Sequence, residues 1–321
     1  MIRRPGITLV EVLVSIFIMG IGLLALLTLF PLGALTMNQA IQADRAAACA
    51  RNAAGLVSAL DIRKNSALFS PNDVFSDPDG GGNEWPTLAD QHGPSYPVFV
   101  DPFGILGGAG QTLGAYTPNP QSPGIPRRNL VFGGSALTYQ QALRWFSLLD
   151  DMDFDENGVP KNSALKQVQR SNRYTWALMM RRPRAMDTSW VEMAVVVYSG
   201  RPLQVIQPEP TYIGTNTDPI IFNPNSKEVT VAYTGEKPPV RKGGWILDAT
   251  VTTLGPPGNR IAVPRGYFYR VVNVTDTTTA SGTPAVVLEL ETAPRVGTNN
   301  AVLVVMEHVI EVFDEGLGWK P

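Results

Sequence analysis

The chain has 321 residues, of which 44% are apolar and 17% charged, and its 26 Lys and Arg nearly balance 28 Asp and Glu. A formal charge of −2 excludes a generally basic nucleic-acid binder and a strongly acidic tail. A single cysteine, Cys49, excludes an intramolecular disulfide and a cysteine-built zinc site. The two histidines, His92 and His308, are too far apart in sequence to indicate a histidine-rich metal centre.

The first 35 residues depart from these averages. Between Ile7 and Leu35, 21 of 29 residues are apolar, and Glu11 is the only charged residue. A helix needs about 20 apolar residues to span the hydrocarbon core of a bilayer. The run therefore predicts a transmembrane helix over 7–35. A cleaved secretory signal is the alternative, but this run is about twice as long as a typical signal core and no small-x-small cleavage pattern follows it.

Charge placement predicts the orientation of this helix. Arg3 and Arg4 precede the apolar run, and the next charges after Glu11 are Asp44 and Arg45. A basic pair before a first apolar helix favours a cytoplasmic N-terminus. We therefore expect a single-pass protein of the inner membrane, with the C-terminal body in the periplasm or in an extracellular filament.

The motif around Glu11 is specific, and it reads Gly6-Ile7-Thr8-Leu9-Val10-Glu11. It resembles the class III prepilin signal of type IV pilins and type II secretion pseudopilins. In that family a short basic leader ends in Gly, a membrane peptidase cuts after it and methylates the new N-terminus, and the fifth mature residue is Glu. The resemblance implies that Gly6 ends the leader, that Ile7 is methylated and that Glu11 is the assembly acid. The family most often has Phe where this chain has Ile7.

The physical chemistry of the implied assembly is coherent. Cleavage after Gly6 creates a positive amine on Ile7, which Glu11 of a neighbouring subunit can neutralise inside an apolar filament core. Two charges that are costly alone in a low dielectric become tolerable as a pair and set the register of the subunits. The partners implied are other pilin or pseudopilin subunits, a prepilin peptidase, an inner-membrane assembly platform and membrane lipid.

The resemblance and the sequence pattern together predict an α+β fold of enlarged pilin type, a long N-terminal helix packed on an antiparallel β-sheet head. The predicted divisions are a leader (1–6), a transmembrane helix (7–35), an amphipathic spine helix (36–65) and a β-rich head (66–321) with long loops over 66–134. The spine pattern runs through Met37, Ile41, Ala48, Leu56 and Leu60. Cys49 is expected to be a buried small residue rather than a reactive thiol.

The head is predicted to contain a second helix over 138–150 and several antiparallel strands. Tyr174 to Met180 and Val191 to Val197 alternate as the two arms of a hairpin. Further strands are predicted at about 228–234, 244–253, 267–275, 284–291 and 301–313, with His308 in the last of them. This number of strands requires either an enlarged sheet or two small sheets.

An acidic segment after the second predicted helix is a candidate calcium loop. Asp153, Asp155, Asn157 and Gly158 occupy positions 1, 3, 5 and 6 of an EF-hand-type loop, but Ala164 stands where the bidentate Glu belongs. A further carboxylate, Asp150 or Asp151, would have to complete the site. The other interpretation is an acidic surface loop with an Asn-Gly turn. No other cofactor is expected.

One segment of fifteen residues contains five arginines and two aromatic residues. The arginines are Arg170, Arg173, Arg181, Arg182 and Arg184, and the aromatic residues are Tyr174 and Trp176. Arginines that contact phosphates and aromatic rings that stack on bases are typical of DNA-binding patches. The solvated face of a hairpin is the commoner explanation, so DNA is not expected as a partner.

The sequence contains no Gly-x-Ser-x-Gly, His-Glu-x-x-His or P-loop motif. We therefore expect a structural subunit, cleaved after Gly6, methylated at Ile7 and present as a minor component of a pilus or pseudopilus. The alternative is a membrane-anchored periplasmic binding protein or enzyme that does not polymerise.

Overall fold

The computed structural model describes residues 9–60, 62, 97–101, 112–113, 124–128, 130–132, 135–148, 151–161, 171–181, 192–202, 209–254 and 261–314. The chain divides into two units, Met1–Arg45 and Ala46–Pro321. The described elements, in chain order, are α1 (Leu9–Ala59), β1 (Val98–Val100), β2 (Thr112–Leu113), β3 (Ile125–Arg128), β4 (Val131–Phe132), β5 (Ser135–Ala136), α2 (Tyr139–Trp145), β6 (Tyr174–Arg181), β7 (Glu192–Ser199), β8 (Thr211–Ile213), β9 (Glu228–Ala232), β10 (Trp245–Asp248), β11 (Val251–Leu254), β12 (Ile261–Pro264), β13 (Tyr267–Thr278), β14 (Pro284–Leu290), β15 (Val302–Met306) and β16 (Val309–Asp314).

The long N-terminal helix is confirmed, and α1 continues through the predicted transmembrane segment into the spine. Its buried residues all lie in the second unit, at Ala46, Cys49, Ala50, Ala53 and Val57. This spacing of three and four places them on one helix face. The predicted spine face was partly right: Ala48, Leu56 and Leu60 pack against the apolar core, but Met37 and Ile41 are exposed. Cys49 is fully buried, as expected.

The first sheet has six strands in the order β16-β7-β6-β1-β3-β2. Its centre is the predicted hairpin, in which β6 and β7 pair antiparallel from Tyr174 opposite Ser199 to Arg181 opposite Glu192. The pair β1–β3 is parallel, and the other pairings are antiparallel. The strands β1 to β4 lie within 66–134, where the sequence predicted long loops. The prediction missed them because strands of two to four residues are too short to show an alternating pattern.

Helix α2 begins at a capping box. Gln141 N donates to Thr138 Oγ1 at 3.4 Å, and Thr138 N donates to Gln141 Oε1 at 2.9 Å. The helix ends at Trp145, earlier than predicted. The chain pairs with β6 immediately after it, where Trp176 N donates to Phe146 O at 2.9 Å. Tertiary pairing therefore ends this helix.

The second sheet is antiparallel and has the order β8-β15-β10-β13-β14-β9. Strand β14 follows the predicted alternation: Val286, Leu288 and Leu290 are buried, whereas Glu289 and Glu291 on the other face are exposed. Of the two arrangements that the strand count left open, the structure has two sheets, each of six strands. Two-stranded ribbons, β11–β12 and β4–β5, accompany them.

Three apolar clusters hold the second unit together as layers. The first joins α1 and α2 to one face of β1, β6 and β7. The second lies between the opposite face of those strands and strands β10 and β15. The third fills the other face of the second sheet, where Phe222 stacks 5.7 Å from the Tyr269 ring centre. Strands β6 and β7 are consequently buried on both faces.

Candidate functional site

The first part of α1 presents a continuous apolar surface. Each Leu, Val, Ile, Phe and Met from Leu9 to Ile41 is exposed, from 46% at Val12 to 81% at Phe30. Burying one such side chain stabilises a protein by about 1.5 to 3 kcal/mol. Twenty of them in water would be strongly unfavourable, so this surface requires lipid or other apolar helices around it. By length and composition α1 is able to cross a membrane.

Glu11 lies in the first turn of α1 and is exposed. The Ser15 hydroxyl donates a 2.7 Å hydrogen bond to the Glu11 backbone oxygen. The positive end of the helix dipole favours a carboxylate in this turn. Gly6 and Ile7 lie outside the described residues, so their processing stays a prediction.

Three glycines in the apolar part of α1, Gly20, Gly22 and Gly33, have no packing role among the described residues. A Cβ atom added at Gly20, Gly22 or Gly33 would meet nothing within 4 Å. Pro31 lies inside the continuous helix. Glycine costs about 1 kcal/mol in a helix interior, and proline about 3 kcal/mol. Membrane helices tolerate both, and small residues allow two such helices to approach closely.

The segment 151–161 forms a small hairpin rather than an open loop. Asp155 N donates to Val159 O at 2.9 Å, and Asp155 Oδ1 accepts from the backbone N–H groups of Asn157 and Val159, both at 2.9 Å. Asp153 pairs with Lys161 at 3.3 Å, and Asp151 Oδ2 accepts from Arg173 N at 2.9 Å. Asp151, Asp153 and Asp155 therefore each have a structural role in the protein, whereas Asp150 lies outside the described residues.

Within the described ranges, no group of three or more His, Cys, Asp or Glu side chains is arranged to hold a metal ion. Calcium binding by Asp151, Asp153, Asp155 and Asn157 stays a prediction. Calorimetric titration of the full chain with calcium tests it, and no heat at millimolar calcium would remove it.

The arginine-rich segment does not form an aromatic DNA platform. Tyr174 and Trp176 are 6% and 1% exposed, and Trp176 packs 4.6 Å from the Phe146 ring centre. Arg181 is buried against Glu192 at 2.6 Å, and Arg173 is exposed. Arg170, Arg182 and Arg184 lie outside the described residues. Buried rings are not available to stack on bases.

Sequence reasoning missed a buried group of four charges between the two sheets. Arg201 donates to Asp101 at 3.1 Å and pairs with Glu209 at 3.4 Å, and Arg127 also contacts both acids. Although burial opposes its charge, the pKa of Arg127 is raised because Asp101 and Glu209 stabilise the cation. Burial raises the pKa of the Tyr198 hydroxyl, whose ring lies 4.2 Å below the Arg201 guanidinium. These residues are isolated in sequence, so no local motif indicated them.

A second buried ion pair joins Asp248 to Arg265 at 3.7 Å. Burial raises the pKa of Asp248 to about 6, although a backbone hydrogen bond from Thr250 and the nearby Arg265 favour its charged form. Arg265 also donates to the backbone oxygens of Val296 and Gly297 at 3.1 and 3.0 Å. The pair therefore fastens the 296–297 turn to the end of β10 and has a structural role.

His308 lies in the turn between β15 and β16, with a φ of 64°, and not in a strand as predicted. Ser199 N donates to His308 O at 2.9 Å, which extends the pairing of β7 with β16 into this turn. His92 lies outside the described residues.

The comparisons with known proteins agree with the N-terminal geometry. Residues 1–27 match the family described as the prokaryotic N-terminal methylation motif. No curated protein and no solved structure matches the chain. The long apolar helix begins inside the matched segment, and antiparallel sheets follow it as in an α+β pilin-like fold. Residues 1–27 thus carry a prokaryotic N-terminal methylation motif, in agreement with the resemblance to the class III prepilin signal.

Proposed function

We propose that this protein is a prepilin-like structural subunit that is cleaved after Gly6, methylated at Ile7 and assembled into a type IV pilus or a type II secretion pseudopilus. The methylation motif over residues 1–27 supports this proposal most directly. The exposed apolar surface of α1 supports it independently, because a bilayer before assembly and neighbouring helices afterwards would both cover that surface.

In this proposal Glu11 sets the register of assembly. The new amine of Ile7 and the Glu11 carboxylate of a neighbouring subunit neutralise each other in the apolar core, where an isolated charge is expensive. Gly20, Gly22 and Gly33 then provide close helix–helix approach between subunits, which explains why the isolated chain offers them no contact.

The N-terminus lies in the cytoplasm before cleavage, and the β-rich body lies in the periplasm. The required partners are a prepilin peptidase, other pilin-like subunits and an inner-membrane assembly platform. The two six-stranded sheets make the body larger than a minimal pilin head. That size favours a minor component of the assembly.

Mass spectrometry of the N-terminal peptide from the native membrane tests the proposal. We expect N-methyl-Ile at residue 7 as the first residue. An intact Met1, or a cut near residue 36, would instead indicate a membrane-anchored binding protein or a cleaved secretory signal. A Gly6→Leu variant is the matched control, since a bulky side chain at the cut site should leave the full chain uncut in the membrane.

A further inference from the structure

Among the described residues after Arg45, the hairpin of residues 151–161 carries most of the exposed large apolar side chains. Among the described residues after Arg45, the exposed large apolar side chains are Met152, Phe154, Val159, Ile221 and Val296. Three of these five belong to the hairpin, at 39%, 47% and 54% exposure for Met152, Phe154 and Val159. Clustered exposed apolar residues on a soluble body mark an interaction surface.

The hairpin presents these side chains on a preformed element. Lys161 N donates to Asp153 O at 2.8 Å, and the Asp155 carboxylate closes the turn. Asp151 fastens the base of the hairpin, because its carboxylate accepts from the backbone of Arg173 and its carbonyl oxygen accepts from Ser171 N at 3.1 Å. Binding through a rigid element loses little conformational entropy.

The charge of the hairpin specifies a basic partner. Asp153, Asp155 and Glu156 alternate along the hairpin with its apolar residues, and Lys161 offsets one of these three charges. The same chain carries a complementary patch at its 241–245 turn. Arg241 and Lys242 are exposed there, and neither is ion-paired with a described residue. Trp245 ends the turn half-buried: it packs against the second apolar cluster, and the Arg270 guanidinium lies 6.0 Å from its ring centre. Gly243 N donates to Val271 O at 2.7 Å and orders this turn.

The two surfaces lie at the same end of the two sheets. The base of the hairpin contacts Arg173 and Tyr174, and Tyr174 pairs with Ser199. Ser199 in turn donates to His308, and the strand before His308 ends at Met306, which pairs with Trp245. Because the 151–161 hairpin and the 241–245 turn lie at the same end of the sheets, the hairpin of one copy can reach the turn of a second copy that lies beside it.

We propose that the 151–161 hairpin of one copy docks on the 241–245 turn of a second copy of this chain. Phe154 and Met152 lie against Trp245, and Glu156 and Asp153 face Lys242 and Arg241. This inference rests on the proposed function, since it describes how two bodies of the assembled subunit meet. The electrostatic component gives the contact its specificity and its register.

Cross-linking between two differently tagged full-length chains in detergent micelles tests the contact. Both chains carry Cys49→Ala, one also carries Asn157→Cys, and the other carries Pro239→Cys. A short bismaleimide should link the two tags into one heterodimer. A Thr277→Cys chain in place of the Pro239→Cys chain is the control for random collision through α1, and it should give no such product.

Charge reversal makes the test specific. Glu156→Lys should lower the cross-linking yield about tenfold, and Lys242→Glu in the other copy should restore it. Glu289→Lys, at an exposed acid on β14, should leave the yield unchanged. Thermal unfolding of each variant by circular dichroism confirms that the body is folded.

Absence of the cross-linked heterodimer overturns the inference. An equal loss of cross-linking yield with Glu156→Lys and with Glu289→Lys also overturns it, as does a yield that Lys242→Glu does not restore. The N-terminal mass is measured on the same cells. If Ile7 is methylated but no cross-link forms, only the proposed contact is wrong. If the chain still begins at Met1, the proposed function is wrong whatever the cross-linking result.

Discussion

Arg201 donates a 3.1 Å hydrogen bond to Asp101, a carboxylate one hundred residues earlier in the chain, and both side chains are almost completely buried. Glu209 and Arg127 complete a group of two cations and two anions at the edge of the space between the sheets. Such a group is stable only while it is complete, because removal of one member leaves an uncompensated buried charge.

Arg201→Met should therefore lower the free energy of unfolding by about 3 to 5 kcal/mol, since Asp101 and Glu209 then share a single buried cation. Urea unfolding of the full chain in detergent micelles, followed by tryptophan fluorescence, measures this change. Arg173→Met is the matched control at an exposed arginine and should change stability by less than about 1 kcal/mol. Equal effects of the two substitutions would show that the buried group contributes nothing specific.

Asp248 predicts an unusual dependence of stability on pH. Its pKa is about 6 in the folded protein and 3.8 in the reference state, so the folded protein binds this proton more tightly than the unfolded chain. The contribution of Asp248 to the free energy of unfolding is therefore largest below about pH 4 and falls by about 2 to 3 kcal/mol as pH rises to about 6.

Asp248→Asn isolates this contribution because an amide does not titrate. The difference in unfolding free energy, wild type minus variant, should decrease between about pH 4 and pH 6 and stay constant above that range. Chemical unfolding at a series of pH values checks it. A constant difference across the range would show that the pKa of Asp248 is not raised.

The packed face of α1 predicts a low tolerance for larger side chains. Ala53 is fully buried in the first apolar cluster, so Ala53→Leu inserts three carbon atoms into a filled space. Overpacking of this kind costs about 1 to 3 kcal/mol. Ala59→Leu, at an exposed position at the end of α1, should be close to neutral. Thermal unfolding of the two variants distinguishes them, and equal melting temperatures would contradict the packing described for Ala53.

Glu11→Ala should prevent assembly while leaving membrane insertion and cleavage after Gly6 intact, because a more apolar segment inserts at least as well. The amount of the chain in sheared filaments or in a cross-linked pseudopilus should fall at least about tenfold. Ser15→Ala is the control, since the Ser15 hydroxyl bonds only the backbone of its own helix in the structure. Normal assembly of Glu11→Ala would remove the proposed register role.

The sequence predicted those parts of the fold that have a regular period. The alternation of Val286, Leu288 and Leu290 identified β14, and the paired alternation from Tyr174 and Val191 identified the β6–β7 hairpin. Short β1 was missed, although it is the neighbour of β6, because three residues carry no period. The spine face was only partly predicted: Ala48, Leu56 and Leu60 do pack against the first apolar cluster, but most of the fully buried positions of α1 are alanine and cysteine, which a search for large apolar residues does not find.

In the candidate site, the sequence predicted only the features that a continuous segment encodes. The methylation motif is contiguous, so residues 1–27 indicated it directly. The four buried charges come from three distant segments of the chain, at Asp101, at Arg127 and at Arg201 with Glu209. The acidic hairpin resembles a calcium loop in sequence, but in the structure its carboxylates bond to backbone N–H groups and to a lysine. Long-range contacts decide these features, and local spacing does not encode them.

Strands β6 and β7 are apolar on both faces, and this has a consequence for folding. In a strand with one polar face, a slip by one residue exposes the apolar side chains to water and is therefore unfavourable. A strand that is apolar and buried on both faces lacks this penalty. An ion pair at the end of the β6–β7 hairpin distinguishes the registers instead: Arg181 lies directly opposite Glu192 and pairs with it at 2.6 Å. A slip by one residue would separate the two side chains and leave the buried Arg181 guanidinium without this carboxylate, so the ion pair favours the observed alignment of the central strands.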